Sequence, residues 1–209
     1  MRRALYGIIF AVMSAQAVGA EAPQPPSSDA IASAWIGACL SCHGEQAQGI
    51  AAKFAPALAG QDPQYLHRQL AHYRDGLRGT DDNISRQMGL IAAALGDNDA
   101  VLELLAERLR AYAPSRLSDP EEPVPTEFAS CQSCHAGAIK GGDLTVPVIY
   151  GLDYDYLLRQ LILYRDGGRG DHPADAGGQL MAATVAGKSD AELAMIATFF
   201  SGRQTDTSR

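Results

Sequence analysis

The chain has no long apolar segment after its first twenty residues, and it has little positive charge. A helix that crosses a bilayer needs about 20 predominantly apolar residues in a row, and no stretch after residue 20 is that apolar. Its 17 basic side chains are outnumbered by 24 acidic ones among 209 residues, which gives a formal charge of −7. Nucleic acids and anionic lipids attract basic surfaces. The sequence therefore argues against nucleic acid as a partner and allows at most a peripheral membrane contact.

The first twenty residues have the features of a secretory signal peptide. Arg2 and Arg3 form a basic start, residues 5–12 form a short apolar core, and small residues precede a cleavage point after Ala20. A retained membrane anchor is the alternative, but the apolar run is shorter than a spanning helix needs. We therefore expect residues 1–20 to be a signal peptide and the protein to be periplasmic, with loose membrane association left open.

Cysteine is scarce, and all four cysteines lie in two copies of one pentapeptide. One copy, Cys-Leu-Ser-Cys-His, begins at residue 39, and the other, Cys-Gln-Ser-Cys-His, begins at residue 131. C-x-x-C-H is the attachment sequence for a c-type haem. The two thiols add to the vinyl groups of one porphyrin, and the histidine supplies a nitrogen ligand to the iron. The sequence therefore predicts two covalent haem c groups, bound by Cys39, Cys42 and His43 and by Cys131, Cys134 and His135.

Four cysteines could instead form disulfides, a four-thiolate zinc site or two thioredoxin-like redox pairs. A shared zinc site needs its two pairs close together in space, usually joined by a short segment, whereas 92 residues separate Cys39 from Cys131. A thioredoxin-like pair gives no reason for a histidine after the second cysteine in both copies. The haem interpretation accounts for both histidines.

The chain is an internal duplication. Residues 65–79 and 156–170 are identical at eleven of fifteen positions, with an offset of 91 here and 92 at the cysteines. We expect a signal peptide over 1–20, a leader over 21–27, a first domain over 28–113, a Pro-rich linker over 114–125 and a second domain over 126–209. Each half is small for a core of its own, so a covalently held haem would supply the missing apolar contacts.

The apolar periodicity predicts helices throughout both halves. Helices are expected from a cap at Ser28 or Asp29 into the first haem motif, over 63–75, from a cap at Asp97, over 153–166, and after Ser189. The helix after Asp97 should bury Val101, Leu102, Leu105 and Leu109. Residues 78–88 and the Gly-rich stretch before Met181 are expected to be loops.

Three methionines after residue 20 are candidates for the second axial ligands of the irons. Met88 and Met181 follow the two haem histidines by 45 and 46 residues, and each stands nine residues before an aspartate expected to cap a helix, Asp97 or Asp190. This paired placement favours them over Met195, which has no counterpart methionine and is expected to be ordinary packing. The other candidates, His67, His72 and His172, are unpaired and are more typical of structural or surface histidines.

These features together resemble the cytochrome c4 family of dihaem c-type cytochromes. The resemblance rests on the two haem motifs, two P-x-x-x-G segments, the duplicated Y-L-x-R-Q-L…Y-R-D-G-x-R helix and the late methionines, and it covers nearly all of the chain after residue 20. It implies an all-α fold of two tandem cytochrome c-like domains related by a pseudo-twofold axis, with His/Met ligation of each iron and electron transfer in the periplasm. Ala136 departs from the family pattern, because glycine often follows the haem histidine, as Gly44 does in the first half.

The resemblance also implies that the carbonyls of Pro56 and Pro147 accept the imidazole N–H of the haem histidines. Four arginines, Arg74, Arg78, Arg165 and Arg169, are candidates to bind haem propionates, and solvated charge at helix ends is the alternative. Four tyrosines stand beside them on the duplicated helices: Tyr65, Tyr73, Tyr156 and Tyr164. This combination predicts a polar interface between the two halves.

His/Met ligation predicts an electron carrier rather than an enzyme, because both axial positions stay filled in both redox states. A haem peroxidase would need an open or displaceable position. Two functions fit the sequence. The protein could shuttle electrons between a quinol-oxidising complex and a terminal oxidase, or it could be a dedicated subunit of a dehydrogenase such as a flavin-dependent sulfide oxidiser.

Overall fold

A computed structural model describes residues 24–80, 82–113, 117, 123–136 and 144–202. The described residues of the first half form four helices: α1 (Ser28–His43), α2 (Pro63–Arg74), α3 (Asn83–Ala94) and α4 (Asp99–Arg110). The second half contains α5 (Ala129–His135), α6 (Tyr154–Arg165), α7 (Ala176–Val185) and α8 (Asp190–Phe200). Short 3₁₀ turns, Ala51–Lys53 and Thr126–Phe128, precede α2 and α5. Within these ranges no β-strand forms, apart from one isolated bridge between Ile50 and Ala55.

The expected signal peptide, residues 1–20, and most of the expected linker lie outside the described residues. Within the linker residues 117 and 123–125 are described, and Leu117 is buried in the apolar core of the second half. None of the helices in the described part of the chain is long and apolar enough to cross a membrane.

The first helix begins one residue earlier than expected. The hydroxyl of Ser27 accepts a hydrogen bond from the backbone N–H of Ala30 at 3.2 Å, so Ser27 is the cap and α1 starts at Ser28. Asp29 lies in the first turn instead, where the positive end of the helix dipole favours a carboxylate.

The expected aspartate caps of the two closing helices were also wrong by one residue. Asn98, not Asp97, caps α4, because its side-chain oxygen accepts from the backbone N–H of Val101. Ser189, not Asp190, caps α8, where it forms a capping box with the glutamate three residues on. An acidic residue in the first turn can therefore interact favourably with the helix dipole without being the cap.

The two segments expected to be loops contain helices. Helix α3 begins inside 78–88, because the carboxylate of Asp82 accepts from the N–H groups of the second and third helical residues, Ile84 and Ser85. In the second half Asp175 accepts from the N–H of Gly178 at 2.8 Å and starts α7. A Cβ at Gly178 would come within 2.1 Å of that carboxylate, so the glycine permits the cap to close. The Gly-rich composition marks a tight helix start, not a loop.

Each half has its own apolar core. In the first half, α4 packs on α1 and α2, and the residues expected on its inner face, Val101, Leu102, Leu105 and Leu109, are all buried. In the second half, α6 packs on α8 and α7, with Leu193 and Phe200 buried between them. Phe128 stacks on Phe199 with ring centroids 5.0 Å apart, which adds aromatic contact beside the short α5.

The two halves also contact each other through backbone groups. The side chain of Gln61 in the first half donates to the carbonyl of Val148 at 2.9 Å and accepts from its N–H at 2.8 Å. The matching position in the second half is Leu152, 91 residues later, which is buried in the second core. This pair of hydrogen bonds is therefore present on one side of the pseudo-twofold arrangement only.

Candidate haem-binding sites

The two C-x-x-C-H motifs end α1 and α5, and each haem histidine is the last residue of its helix. All four cysteines are free thiols of intermediate burial, so the structure contains no disulfide between them. Within the described ranges no group of three or more His, Cys, Asp or Glu side chains is placed to hold a metal ion, so a shared zinc site lacks a donor set there.

The cysteine environment also differs from that of a redox-active thiol pair. Burial raises the pKa of Cys39 to about 11, and burial likewise raises the pKa of Cys131. Thioredoxin-like and other reactive cysteines have lowered pKa values, which give thiolates near neutral pH. The raised pKa values of Cys39 and Cys131 disfavour a thiolate, unlike the lowered values of a thioredoxin-like pair.

One proline carbonyl fixes the orientation of each haem histidine. The Nδ1 atom of His43 donates to the carbonyl of Pro56 at 2.8 Å, and Nδ1 of His135 donates to the carbonyl of Pro147 at the same distance. Burial lowers the pKa of both imidazoles, partly opposed by these carbonyls. A neutral imidazole that donates through Nδ1 leaves Nε2 unprotonated, which is the form that binds a metal.

The haem histidines line two cavities that have room for large apolar groups. A cavity of about 650 Å³ is lined by His43 and Met88 of the first half and by His135 and Met181 of the second. A second cavity, of about 280 Å³, is lined by Cys131, His135 and Met181 among others. His67, His72 and His172 line neither of these cavities.

The two methionines occupy matching places in matching helices. Met88 lies on α3 and Met181 on α7, and each comes six residues after the aspartate that caps its helix, Asp82 or Asp175. Each methionine also stands nine residues before an aspartate, Asp97 or Asp190. That spacing does not reflect a shared helix cap, because neither aspartate caps a helix.

Met195 lies on α8 and is 57% exposed, and it lines the second cavity together with Met181. Asp99 and Asp190 are equivalent, because each accepts from the arginine that ends the duplicated helix of its half. This register matches Met195 with Leu104. The expectation of surface or core packing for Met195 is consistent with this position.

Arg74 and Arg165 bind aspartates at the surface. Arg74 donates to both carboxylate oxygens of Asp75, at 2.7 and 3.1 Å, and to Asp99 at 2.7 Å. Arg165 repeats these contacts with Asp166 and Asp190. The guanidinium groups lower the pKa of Asp75 and of Asp166. These contacts agree with the second interpretation of the two arginines, in which they are charges at helix ends and do not bind haem propionates.

Arg78 is buried and reaches across the boundary between the halves. Its Nη1 donates to Gln69 of its own half at 2.6 Å. Its Nη2 donates to Gln160 at 2.9 Å and to the hydroxyl of Tyr156 at 3.3 Å, both in the other half. The guanidinium also lies over the ring of Tyr73, 4.5 Å from its centroid.

Arg169 makes the reciprocal set of contacts from the second half. It donates to Gln160 at 2.6 Å, to Gln69 at 2.9 Å and to the hydroxyl of Tyr65 at 3.3 Å. It lies 4.4 Å from the ring centroid of Tyr164. Across the boundary, Arg169 therefore contacts the counterparts of the residues that Arg78 contacts. Such reciprocal contacts are the signature of a twofold interface. The polar interface expected from the tyrosines and arginines is present.

The arginine network contains buried nitrogen atoms for which the described residues provide no hydrogen-bond partner. The Nε atoms of Arg78 and Arg169 are buried without a hydrogen-bond partner, and neither guanidinium pairs with a carboxylate among the described residues. A buried charge without a counter-ion costs several kcal/mol. Both arginines line the larger cavity. Carboxylates such as haem propionates fit this pair of buried cations.

The glutamines of this network were not predicted from the sequence. Gln69 and Gln160 occupy the same position of the duplicated Y-L-x-R-Q-L segment, and both are buried. The sequence contains a signal for them, because the same polar residue occurs in both copies of a buried helix. A buried amide needs hydrogen-bond partners.

Comparisons with known proteins agree with this geometry. The family model described as cytochrome c matches residues 29–101. A thiosulfate dehydrogenase electron acceptor from Stutzerimonas stutzeri (strain A1501) is 33% identical over 178 residues, which cover 78% of this chain and 77% of that protein. Cytochrome c4 from Thiocapsa roseopersicina is 28% identical over 204 residues, covering 90% and 96%. The structure of Acidithiobacillus ferrooxidans cytochrome c4 matches with a TM-score of 0.61 at 24% identity, over 78% of this chain and 96% of that one.

An all-helical chain with two cytochrome c domains and two C-x-x-C-H motifs is a dihaem c-type cytochrome, and its two cysteine pairs carry two haem c groups. Its relatives are cytochromes and electron acceptors, so its general function is electron transfer. The chain belongs to the cytochrome c4 family.

Proposed function

We propose that this protein is a periplasmic electron carrier in which each haem iron is held by one histidine and one methionine. One observation carries the proposal: His43 and His135, each bound to a proline carbonyl, line one cavity together with Met88 and Met181. The signal peptide expected at residues 1–20 supports the periplasmic location, because c-type haem is attached outside the cytoplasm.

The protein side chains determine what such a site can do. When bound, each haem supplies a one-electron Fe(III)/Fe(II) couple. A methionine sulfur opposite the histidine favours the reduced state relative to a second histidine. With Met88 and Met181 as ligands, the iron would have no free position for peroxide or another substrate. The arrangement therefore supports an electron carrier and not a haem peroxidase.

Pro56 and Pro147 would hold the imidazole rings in one orientation, because a hydrogen bond to the second nitrogen of a ligating histidine fixes its tautomer and ring plane. Arg78 and Arg169 would bind propionates at the boundary between the halves. Two cations beside the cofactors favour the electron-rich state, so these arginines would raise both reduction potentials.

The donor that we propose is a dehydrogenase that oxidises a small sulfur compound. The support is the relative from Stutzerimonas stutzeri, which is a thiosulfate dehydrogenase electron acceptor. A shuttle between a quinol-oxidising complex and a terminal oxidase is the second candidate, because another relative over most of the chain is described simply as cytochrome c4. A fixed subunit of a flavin-dependent sulfide oxidiser remains an alternative, and co-purification with a flavoprotein would support it.

Mass spectrometry and near-infrared spectroscopy test the haem sites. The denatured protein should retain the mass of two haems, and the oxidised protein should show the weak near-infrared charge-transfer band of methionine-ligated Fe(III). Met88→Ala and Met181→Ala should each remove about half of that band, because each serves one of two equivalent sites. Met195→Ala is the matched control and should leave the band intact. A wild type without the band, or a loss in Met195→Ala, would overturn the assignment.

Stopped-flow reduction tests the donor. The oxidised protein is mixed either with thiosulfate dehydrogenase and thiosulfate or with a quinol-oxidising complex and quinol. We expect faster reduction in the first mixture. Faster reduction in the second would favour the shuttle, and reduction by neither would exclude both donors.

A further inference from the structure

The peptide group between Pro147 and Val148 takes part in hydrogen bonds to both halves of the molecule. Its carbonyl oxygen accepts from Nδ1 of His135 at 2.8 Å, within the second half. Its N–H donates at 2.8 Å to Oε1 of Gln61, which belongs to the first half. An unbroken chain of hydrogen bonds therefore connects the haem histidine of the second half with a side chain of the first.

The amide of Gln61 is held in one orientation. Its Nε2 donates to the carbonyl of Val148 at 2.9 Å, and its Oε1 also accepts from the backbone N–H of Asp62 at 3.1 Å. The residue is 3% exposed. Only the amide oxygen can accept from a backbone N–H, and only the amide nitrogen can donate to a carbonyl. Gln61 therefore presents a fixed acceptor to the peptide group that binds His135.

The corresponding peptide group of the first half, between Pro56 and Ala57, has a different environment. Its carbonyl accepts from Nδ1 of His43 at 2.8 Å, as in the second half. Its N–H, on Ala57, has no hydrogen-bond acceptor within the described part of the chain. The counterpart of Gln61 is Leu152, whose apolar side chain is buried in the same core cluster as Ala57. In the first half the chain of hydrogen bonds therefore ends at the peptide group.

The hydrogen bond to Gln61 acts on the haem histidine through the peptide group. An acceptor at a peptide N–H draws negative charge toward the carbonyl oxygen, because hydrogen bonds in a chain polarise one another. The carbonyl then binds the Nδ1–H of His135 more strongly, and a stronger bond there makes the imidazole a more basic ligand. A more basic ligand favours Fe(III) over Fe(II), so it lowers the reduction potential of its haem.

We propose that Gln61 is a positioning residue for His135, and that it lowers the reduction potential of the second haem from across the boundary between the halves. The inference rests on the proposed function, because His135 influences a potential in this way only as an axial ligand. The first haem receives no such contribution through Pro56. A contact between the halves, made on one side of the pseudo-twofold arrangement only, therefore helps to separate the two potentials.

The test replaces Gln61 in the holoprotein and follows each haem separately. Gln61→Leu copies the residue of the second half. Gln61→Met keeps the length of the side chain while removing its amide, and it provides an independent variant if Gln61→Leu fails to fold. NMR of the fully reduced, diamagnetic protein reports the Nδ1–H resonances of His43 and His135. A redox titration followed through the haem methyl resonances reports the potential of each haem.

Both variants should affect the second haem alone. We expect the Nδ1–H resonance of His135 to move upfield, because its hydrogen bond weakens. In the half-reduced protein the ratio of reduced second haem to reduced first haem should rise about threefold, since cooperative polarisation changes the strength of a hydrogen bond by roughly 10–30%. The Nδ1–H resonance of His43 and the potential of the first haem should stay as in the wild type.

Gln64→Leu is the matched control. Gln64 also makes a hydrogen bond across the boundary between the halves, but its partner is Oγ1 of Thr145, at 3.3 Å, and not the peptide group that binds His135. Loss of this contact should leave the His135 resonance and both potentials unchanged.

Three results would overturn the proposal. Equal shifts of both potentials would show that the substitutions loosen the boundary in general. A raised potential of the second haem with an unmoved His135 resonance would show that the amide acts through local polarity and not through the histidine. Unchanged potentials, with two haems bound and the near-infrared band intact, would reject the role of Gln61 alone. A wild type without two haems or without that band would reject the proposed function instead.

Discussion

The two halves of the molecule have nearly identical polar contacts, whereas their packing differs. The histidine–proline hydrogen bond is 2.8 Å in each half, and the reciprocal arginine contacts agree to within 0.1 Å. By contrast, the helix that ends at the haem motif has 16 residues in the first half and 7 in the second. Directional hydrogen bonds tolerate little change in geometry, whereas apolar burial can be supplied by different residues.

The halves also differ where they contact each other or solvent. Gln61 and His72 of the first half correspond to Leu152 and Leu163 of the second, so two polar contacts exist on one side only. These differences make the halves distinguishable by mutation. The experiments that follow replace a residue of one half and compare the effect with that of its counterpart.

The largest expected effect comes from removing one haem attachment site. Cys131→Ala with Cys134→Ala should halve the haem content and destabilise the second half, whose short α5 gives it fewer local contacts. Cys39→Ala with Cys42→Ala should also halve the haem content but should leave the first half better folded, because α1 is longer. Mass spectrometry and chemical denaturation measure both. Equal losses of stability would show that the helix length does not matter.

The next largest effect is expected from the buried arginines. Arg78→Met and Arg169→Met should each reduce the free energy of unfolding by about 2 kcal/mol, because hydrogen bonds that involve a charged group contribute roughly 1.5–3 kcal/mol. Each should also lower the reduction potentials, by about 40 mV for each 1 kcal/mol of lost electrostatic stabilisation of a one-electron couple.

Denaturation and redox titration measure the two quantities, and Arg74→Met at the surface is the control. The reciprocal contacts predict similar effects for the two buried arginines. A large effect from only one of them would contradict the pseudo-twofold role.

A smaller effect is expected for Gln61→Leu, which copies Leu152 of the second half. The substitution leaves the N–H and carbonyl of Val148 without their side-chain partner. An unsatisfied buried backbone group costs about 1–3 kcal/mol, and partial exposure puts this case at the low end. Denaturation of the holoprotein would detect it, and an unchanged midpoint would show that water replaces the glutamine.

The smallest effect concerns pH. Burial lowers the pKa of His72, Asp175 opposes the shift, and Arg68, Arg78 and Arg169 add to it. The unfolded chain therefore takes up a proton at a higher pH than the folded one, so stability is lost as pH falls below about 6.5, the ordinary histidine value.

His72→Leu, which copies Leu163, should flatten this part of the pH dependence. The measurement is the free energy of unfolding of the holoprotein at pH 7.5 and 5.5. An identical dependence in the wild type and the variant would exclude His72 as its source.

Several parts of the fold and the site could be predicted from residues close together in sequence. The haem motifs and the two copies of the duplicated helix, α2 and α6, follow from local spacing and from an apolar period of 3.6 residues. The prolines that bind the haem histidines came from the family resemblance. The helices that carry Met88 and Met181 were mistaken for loops, because polar and glycine-rich segments do not reveal an aspartate cap that closes only in three dimensions.

By itself the sequence determined the two haem attachment motifs, each with its histidine, and it predicts the paired methionines as further ligands. Covalent attachment depends on neighbours two or three residues apart, so the local sequence specifies it. The tertiary structure decided which arginines are buried. Arg78 meets Gln160, 82 residues away, while Arg74, four residues before it, stays at the surface with Asp75. The burial that separates these two roles is a property of the packed halves, because no short segment contains both partners.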